Sequence, residues 1–359
     1  MNSTSVIRLA LPGKGTLESA TLAFLAECGM KVNRNNPRQY LAGVSTLPDL
    51  EVVFQRAADI PLLVQDGDAT FGITGYDILA EYRGTSEIEA EDDDHDNDIM
   101  ILEQDLGYGN CRLVVAVPEN WIDISTCADL WHLSGYYLDH KKRGLRIATK
   151  YPSLTAQFLR QHGITHCKII SPHGALEAAP LTETADLIVD LTETGTTLRE
   201  NHLKLLEDGI VLRSQACLIG NIQILRENKQ ALNLASTMLE LIEARKQARN
   251  RSILTAHLQT ETLEEMQHNF KRLNQRLNHL VSGLEFQPAH TEREHITNSC
   301  RYTISGVTNV GGSATDFLEI VAVLRSAGAL HINITPLTYR FEKESSSVRT
   351  LNKRLKRNY

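Results

Sequence analysis

No long uninterrupted apolar segment occurs anywhere in the 359 residues. That excludes a membrane-spanning helix, which needs about 20 consecutive, mostly apolar residues. A hydrophobic leader is missing too. The first five residues run directly into the strand-like Val6-Ile7-Arg8-Leu9-Ala10-Leu11, without an apolar signal region or cleavage site. We therefore expect a cytoplasmic protein with no membrane partner. Positive charge is in deficit: 37 Lys and Arg against 44 Asp and Glu leave a formal net charge of −7, which argues against a nucleic-acid partner. The cysteines Cys28, Cys111, Cys127, Cys167, Cys217 and Cys300 show neither CxxC nor Cys/His ligand spacing. No disulfide framework or zinc site is indicated, and the thiols are expected to be reduced, buried small residues. His162 and His166 near Cys167 read as a solvent-facing helix end. The acidic run over residues 87–98 lacks the spaced glycine of a calcium loop and reads as a solvated, self-repelling insertion.

The most informative stretch that is present covers residues 177–198, EAAPLTETADLIVDLTETGTTL. Ala185 to Leu191 predicts a buried strand, a short run of branched apolar residues. Thr192-Glu193-Thr194-Gly195-Thr196-Thr197 then predicts a tight loop opening a helix. Unpaired N–H groups at a helix start point outward, and Gly195 lets an anion approach the main chain closely. Thr194, Thr196 and Thr197 add hydroxyl donors, while the Asp190 carboxylate suits sugar hydroxyls. A phosphorylated sugar fits both halves. The plainer alternative is that Thr and Gly here only cap a helix.

A chain of this length suits two or three domains. Its first strand ends in Pro12-Gly13-Lys14-Gly15-Thr16-Leu17, a basic glycine-rich turn before a helix; open α/β sheets place ligands at such carboxyl ends. Further strands and helices alternate through Gly75 and on to residue 198, which means mostly parallel sheets covered on both faces. A long amphipathic helix over 228–250 precedes a change of composition. There, Leu263, Met266, Phe270, Leu273, Leu277 and Leu280 fall at helical spacing among strand-like runs, giving a small βαββαβ unit if one further strand lies near residues 284–287. The basic tail reads as a solvated helix or a disordered end.

The spacing of Glu177, Ala185, Ile188, Asp190-Leu191, Thr194-Gly195 and Thr197-Leu198 resembles the signature of the ATP phosphoribosyltransferases of histidine biosynthesis. Lys14, Gly15 and Leu17 resemble that family's basic turn, with Thr16 where the family usually has arginine. The series DIP, DG, FGITG and IL within residues 56–79 is also similar. The ending SAGALHINITPLTYRFE resembles the regulatory domain of the long, histidine-inhibited form. This resemblance implies a two-lobed α/β catalytic core like that of periplasmic binding proteins, plus a C-terminal ferredoxin-like α+β domain. It implies lobe I at 1–108 and 200–225, lobe II at 109–199, a linker helix at 226–250, a regulatory domain at 251–345 holding unspecified allosteric residues, and a tail at 346–359. Its reaction joins ATP to phosphoribosyl pyrophosphate with Mg²⁺, under inhibition by histidine, in a homo-hexamer. By the same likeness Arg38, Arg56 and Lys14 face pyrophosphate and the nucleotide phosphates, Glu177 and Asp190 hold the ribose, Thr192 to Thr197 anchor the 5′-phosphate, and Gly75 lines the substrate cleft. The alternative is a non-catalytic intracellular sensor of nucleotide or histidine on the same two-lobed fold.

Overall fold

A computed structural model describes residues 6–34, 36, 38–89, 98–171, 175–288, 300–308 and 314–357. Most of the acidic run, together with Asn35, Pro37, His173 and Gly174, lies outside the described residues. The chain divides into two compact units, Met1–Leu239 with Ser347–Tyr359, and Glu240–Ser346.

The first unit begins with β1 (Ile7–Pro12), α1 (Thr16–Glu27), β2 (Val32–Asn33), β3 (Leu41–Val44), β4 (Leu47–Gln55), α2 (Ile60–Gln65), β5 (Phe71–Gly75), α3 (Tyr76–Glu89) and β6 (Ile99–Glu103). It continues through β7 (Cys111–Pro118), α4 (Cys127–Lys141), β8 (Leu145–Thr149), α5 (Pro152–Gln161), β9 (Cys167–Ile170), β10 (Leu187–Thr192), α6 (Thr196–Glu200) and β11 (Leu203–Ser214). It then runs into β12 (Ala216–Asn221) and α7 (Ile222–Glu227), and α8 (Lys229–Ala248) begins in it and ends in the second unit.

Among the described residues these strands form two sheets, ordered β2-β3-β4-β1-β5-β12-β6 and β11-β7-β10-β8-β9. In the first, β1 runs parallel to β4 and β5; in the second, β8 runs parallel to β9 and β10. The other pairings in both sheets are antiparallel. The sheets are mixed rather than mostly parallel as expected, because strands joined by short turns or returning between lobes pair antiparallel. Leu9, Ala10 and Leu11 are all buried in succession, as expected for a parallel strand covered on both faces. The chain crosses between sheets twice, through residues 106–110 and again at Gln215. The crossings are laced together: Leu106 N donates to Ala216 O and Ala216 N to Tyr108 O, both at 3.0 Å. Two α/β lobes joined by paired connections is the expected plan.

One boundary differs from expectation. Residues 200–225 do not return whole to the first lobe: β11 pairs with β7 in the second sheet, and only β12 enters the first sheet, beside β5. The lobes thus exchange chain at Gln215. Among the described residues, Glu177 sits in a short 3-10 turn at Leu176–Ala178.

The second unit contains β13 (Ser252–Thr260), α9 (Leu263–Leu277), β14 (Val281–Pro288), β15 (Cys300–Thr308), α10 (Ala314–Ser326) and β16 (Ala329–Pro336). The strand expected near 284–287 is β14. Sheet order β14-β15-β13-β16, antiparallel throughout, is the ferredoxin-like βαββαβ arrangement. Leu254, Ala256 and Leu258 alternate inward from β13 and pack with Met266, Leu273, Leu277, Ile320 and Leu324 from the two helices. The tail forms α11 (Ser346–Arg357), and from Ser347 it belongs to the first unit. Leu351 and Leu355, spaced i and i+4, are buried, and the Arg354 guanidinium donates to Ile101 O at 2.8 Å. Two leucines on one face convert a basic tail into a docked helix.

Candidate active site

The helices that follow a carboxyl edge in each sheet touch one another. α3 begins directly after β5, and α5 shortly after β8. Asp77 in the first turn of α3 is 4% exposed. It accepts hydrogen bonds from Ser214 Oγ at 2.6 Å and from the Tyr151 hydroxyl at 2.7 Å. One turn on, the Glu81 carboxylate accepts from Ser153 N at 2.7 Å and Leu154 N at 2.9 Å. A carboxylate at the start of α5 satisfies N–H groups that no preceding turn can pair, and offsets the helix dipole. Burial and the neighbouring Asp77 hold the Tyr151 phenol far above its ordinary range, so it stays a donor. Gly84 permits the close approach, since a Cβ there would stand 3.0 Å from Ser153 Cβ.

On the first lobe, the ends of β1 and β4 open a cavity of about 630 Å³ lined by Gly13, Lys14, Arg34, Arg38, Tyr40, Phe54, Gln55, Arg56 and Asp59. Lys14 follows β1 and Arg56 follows β4, strands that pair in register from Ile7 and Leu50 to Pro12 and Gln55. Gly13 N donates to Gln55 O at 2.7 Å, which holds the basic turn against Arg56. Arg34 is committed, paired with Glu18 at 2.5 Å and stacked over the Phe54 ring at 3.8 Å. Lys14, Arg38 and Arg56 are exposed and make no ion pair among the described residues. Their charge is left for a ligand, with Asp59 as the lining's acidic member.

On the second lobe, β10 delivers the hydroxyl loop. Gly195 has φ 78°, the left-handed conformation, and opens the five-residue helix α6. Its own N–H donates to Thr192 Oγ1 at 2.8 Å. Thr192 and the Gly195 amide therefore brace the loop from inside rather than facing a ligand, a correction to the reading of the whole run as a cradle. Thr194 Oγ1 and Thr196 Oγ1 lie 2.9 Å apart. Glu193, Thr194, Thr196 and Thr197 are exposed, and Arg199 reaches back to Thr194 O at 3.4 Å and Thr196 Oγ1 at 3.3 Å.

Asp190 is held by its neighbour, its Oδ1 accepting from Leu191 N at 2.8 Å. Burial raises its pKa above the ordinary value, and repulsion from Glu177 adds to the rise. The two acids share one field, as a pair handling sugar hydroxyls would. Lys150 moderates it: β10 pairs with β8 through Val189 and Thr149, which sets the next residues, Asp190 and Lys150, side by side. Gly75 stands apart from the other expected substrate residues. It is buried at the end of β5, where a Cβ would collide with the Asp77 carboxylate, so its place is beneath the lobe junction.

The structure thus gathers Lys14, Arg38 and Arg56 on one lobe and Asp190, Glu177 and the threonine loop on the other. Sequence reading missed Arg199, Lys150, Tyr151 and Arg34 as site members. The i+3 spacing of Arg199 from Thr196 was a usable signal; the others depend on strand pairing or long-range contacts. A larger cavity, of about 850 Å³, lies at the opposite edge of the second sheet. Its Arg143 and Arg146 are spent on Asp186, so size does not make it the site.

Two α/β lobes, one carrying cations that make no ion pair among the described residues and the other a glycine-turned hydroxyl loop, define a two-lobed α/β protein. Comparison with known proteins is more specific. The sequence model of the ATP phosphoribosyltransferases matches residues 56–243. The chain is similar to ATP phosphoribosyltransferase 2, chloroplastic, of Arabidopsis thaliana, 34% identical over 344 residues, covering 94% of this chain and 78% of that protein. An ATP phosphoribosyltransferase of Chelativorans sp. is 44% identical over 215 residues, 59% of this chain and 89% of its own length. Among solved structures, the ATP phosphoribosyl transferase (HisG:HisZ) complex from Thermotoga maritima is 26% identical, covering 66% of this chain and 98% of that one, with a TM-score of 0.48. The chain belongs to the ATP phosphoribosyltransferase family, and is accordingly a transferase rather than a sensor. No helix among the described residues is long and apolar enough to cross a membrane.

Proposed function

We propose that this chain transfers the phosphoribosyl group of phosphoribosyl pyrophosphate to N1 of ATP in the cleft between its lobes. The observation that carries the reading is the set of cations Lys14, Arg38 and Arg56, without an ion pair among the described residues, at the carboxyl edge of one lobe, together with the Thr194 to Thr197 loop at the carboxyl end of β10 in the other. Loop hydroxyls and the opening amides of α6 hold the 5′-phosphate, with Arg199 above it. Asp190 and Glu177 accept from the ribose hydroxyls and fix the ring. The bond from adenine N1 to C1 forms as the bond from C1 to the pyrophosphate oxygen breaks, and the electron pair leaves on pyrophosphate. Permanently charged guanidiniums at Arg38 and Arg56, with Lys14, offset that charge. No protein nucleophile is required, so orientation and electrostatics supply the rate.

Mg²⁺ fits as a companion of the substrate rather than of the protein. Among the described residues the one group of three or more Cys, His, Asp or Glu side chains able to surround an ion is Cys127, His162 and Asp208, which includes none of the residues of these loops. Asp190 and Glu177 offer hard oxygens but no cage, so the ion is carried mainly by polyphosphate, where it supplies charge neutralisation. The ferredoxin-like unit over 251–345 is the proposed seat of inhibition by histidine. A homo-hexamer in the cytoplasm completes the reading, in keeping with the long-form resemblance.

The test is pyrophosphate release from purified protein. Release that requires ATP, phosphoribosyl pyrophosphate and Mg²⁺ together, and that histidine suppresses, supports both halves. Release without ATP would reduce the protein to a hydrolase of phosphoribosyl pyrophosphate and sink the transfer reading.

A further inference from the structure

Cys127, His162 and Asp208 are far apart in the chain, yet one ligand-capable atom of each lies within 4.8 Å of the other two. Cys127 opens α4 and is 1% exposed; His162 follows the last residue of α5 and is exposed. Asp208 lies where β11 lapses from its register with β7, between Leu205 and Ile210. The lapse has a visible cause. Freed from the ladder, Glu207 N donates to Ser125 O at 2.9 Å, and Asp208 Oδ1 accepts from Cys127 N at 2.7 Å. A bulge thus turns a strand residue toward the start of a helix.

Helix capping alone accounts for Asp208 Oδ1. It does not account for a thiol and an imidazole converging on the same carboxylate, nor for the ligand atoms left over. Among the described residues both His162 ring nitrogens make no hydrogen bond, while the Cys127 thiol already leans on Asp208: Sγ lies 3.8 Å from Asp208 O, and burial together with the Asp208 side chain holds its pKa above the ordinary value. The His162 ring is steadied by Phe158, 4.4 Å between centroids.

We propose that Cys127, His162 and Asp208 bind a zinc ion through thiolate, imidazole and carboxylate, with water as fourth ligand. This donor set, mixed in softness, favours Zn²⁺ over Mg²⁺ or Ca²⁺. Bond lengths of about 2.0–2.3 Å put tetrahedral ligand atoms roughly 3.3–3.8 Å apart. Closing from within 4.8 Å takes up to about one ångström, which rotation of the exposed His162 and Asp208 side chains supplies. The Cys127 thiol releases its proton to solvent as the S–Zn bond forms, with no change of oxidation state. α5 is 10 residues long, so at about 1.5 Å per residue the ion lies roughly 15 Å from the end of the helix that meets α3. It is a clamp on α4, α5 and β11 within the second lobe, not a catalytic metal.

The experiment uses the full-length, tag-free chain after chelator treatment, titrated anaerobically with Co²⁺ and then Zn²⁺. The expected result is a near-ultraviolet thiolate-to-cobalt absorption band that saturates at one equivalent and vanishes on adding Zn²⁺. Cys127→Ser abolishes the band, and His162→Gln weakens Co²⁺ binding at least about tenfold. Absence of the band overturns the proposal, as does a band unchanged in either variant. Should Cys127→Ser fail to fold, the exposed His162→Gln substitution decides alone.

Discussion

Substituting Gly195 separates the role of the phosphate loop from the stability of the lobe that carries it. Its φ of 78° lies where an L side chain is disfavoured by about 1–2 kcal/mol, and a β-branched one by up to about 3 kcal/mol. Space is not the obstacle: a Cβ would stand 3.4 Å from Arg199 Nη1 and 3.8 Å from Leu205 Cδ1, and Arg199 is exposed and free to swing away. The expected destabilisation is therefore conformational and ordered Gly195→Asn, then Ala, then Val, because Asn tolerates the left-handed region. For a unit this size each kcal/mol lowers Tm by roughly 2–4 °C, so Gly195→Val should melt about 4–12 °C early yet remain folded at 25 °C. Binding should suffer more. Relaxing φ pulls the Gly195 amide off Thr192 Oγ1 and displaces the hydroxyls behind it. Losing two hydrogen bonds to a charged phosphate, at about 1.5–3 kcal/mol each, predicts a rise of at least 100-fold in KM for phosphoribosyl pyrophosphate. KM for ATP should change little. Pyrophosphate-release kinetics alongside thermal melts measure both quantities. A folded Gly195→Val enzyme with an unchanged KM would place the 5′-phosphate elsewhere, and equal damage from Asn and Val would show that φ is not the reason.

Because burial and Glu177 raise the Asp190 pKa, kcat/KM for phosphoribosyl pyrophosphate should fall on acidification at a higher pH than an ordinary aspartate would dictate. The same sign makes the charged form a burden to the fold: its relief is present below the unfolded pKa and lost as pH rises through the folded one. Asp190→Asn should thus melt slightly above wild type at neutral pH while losing activity; a lower melting point would contradict the assignment. Asp186 has the opposite sign. Burial opposes ionisation, but hydrogen bonds from Arg143 and Arg146 prevail and hold its pKa well below the usual range. That stability is present above the unfolded pKa and lost as pH falls toward the folded one. Asp186→Asn should cost about 2–3 kcal/mol at neutral pH, allowing for arginines 37% and 31% exposed, without altering either KM. An altered KM would tie this edge to the cleft. Within the second unit, Arg340 N donates to Ala244 O, and Ser345 and Ser346 bond to Glu243, so the chain leaves close to where it entered. Excising residues 251–344 and closing the gap with a short flexible loop should keep activity and abolish inhibition by histidine. It is a cleaner test than truncation after residue 250, which also strips α11 from the first unit; surviving inhibition would move the inhibitor site into the catalytic core.

Much of the fold was legible because it depends on local pattern. The apolar run ending at Leu11 announced a strand, and the βαββαβ unit was expected on the condition that one further strand lay near residues 284–287, where β14 stands. The basic turn and the TETGTT loop were visible because their chemistry is packed into a few adjacent residues. The course of β11 was not, since nothing between Leu203 and Asn221 marks which sheet each half joins. The docking of α11 also went unread: two leucines in a basic tail are a weak signal until a surface exists to receive them.

The same division holds at the site. Sequence by itself determined which residue types stand at strand ends, and from these anions and sugar hydroxyls were the expected ligands. Only tertiary structure decided which groups remain available. Arg34 is taken by Glu18 and Phe54 while Lys14, Arg38 and Arg56 make no ion pair among the described residues; the Thr192 hydroxyl turns inward to the Gly195 amide; and Cys127, His162 and Asp208, without any ligand spacing in the chain, come within 4.8 Å of one another. Hydrogen bonds and ion pairs consume donors and charges by distance in space, and separation along the chain does not record that distance.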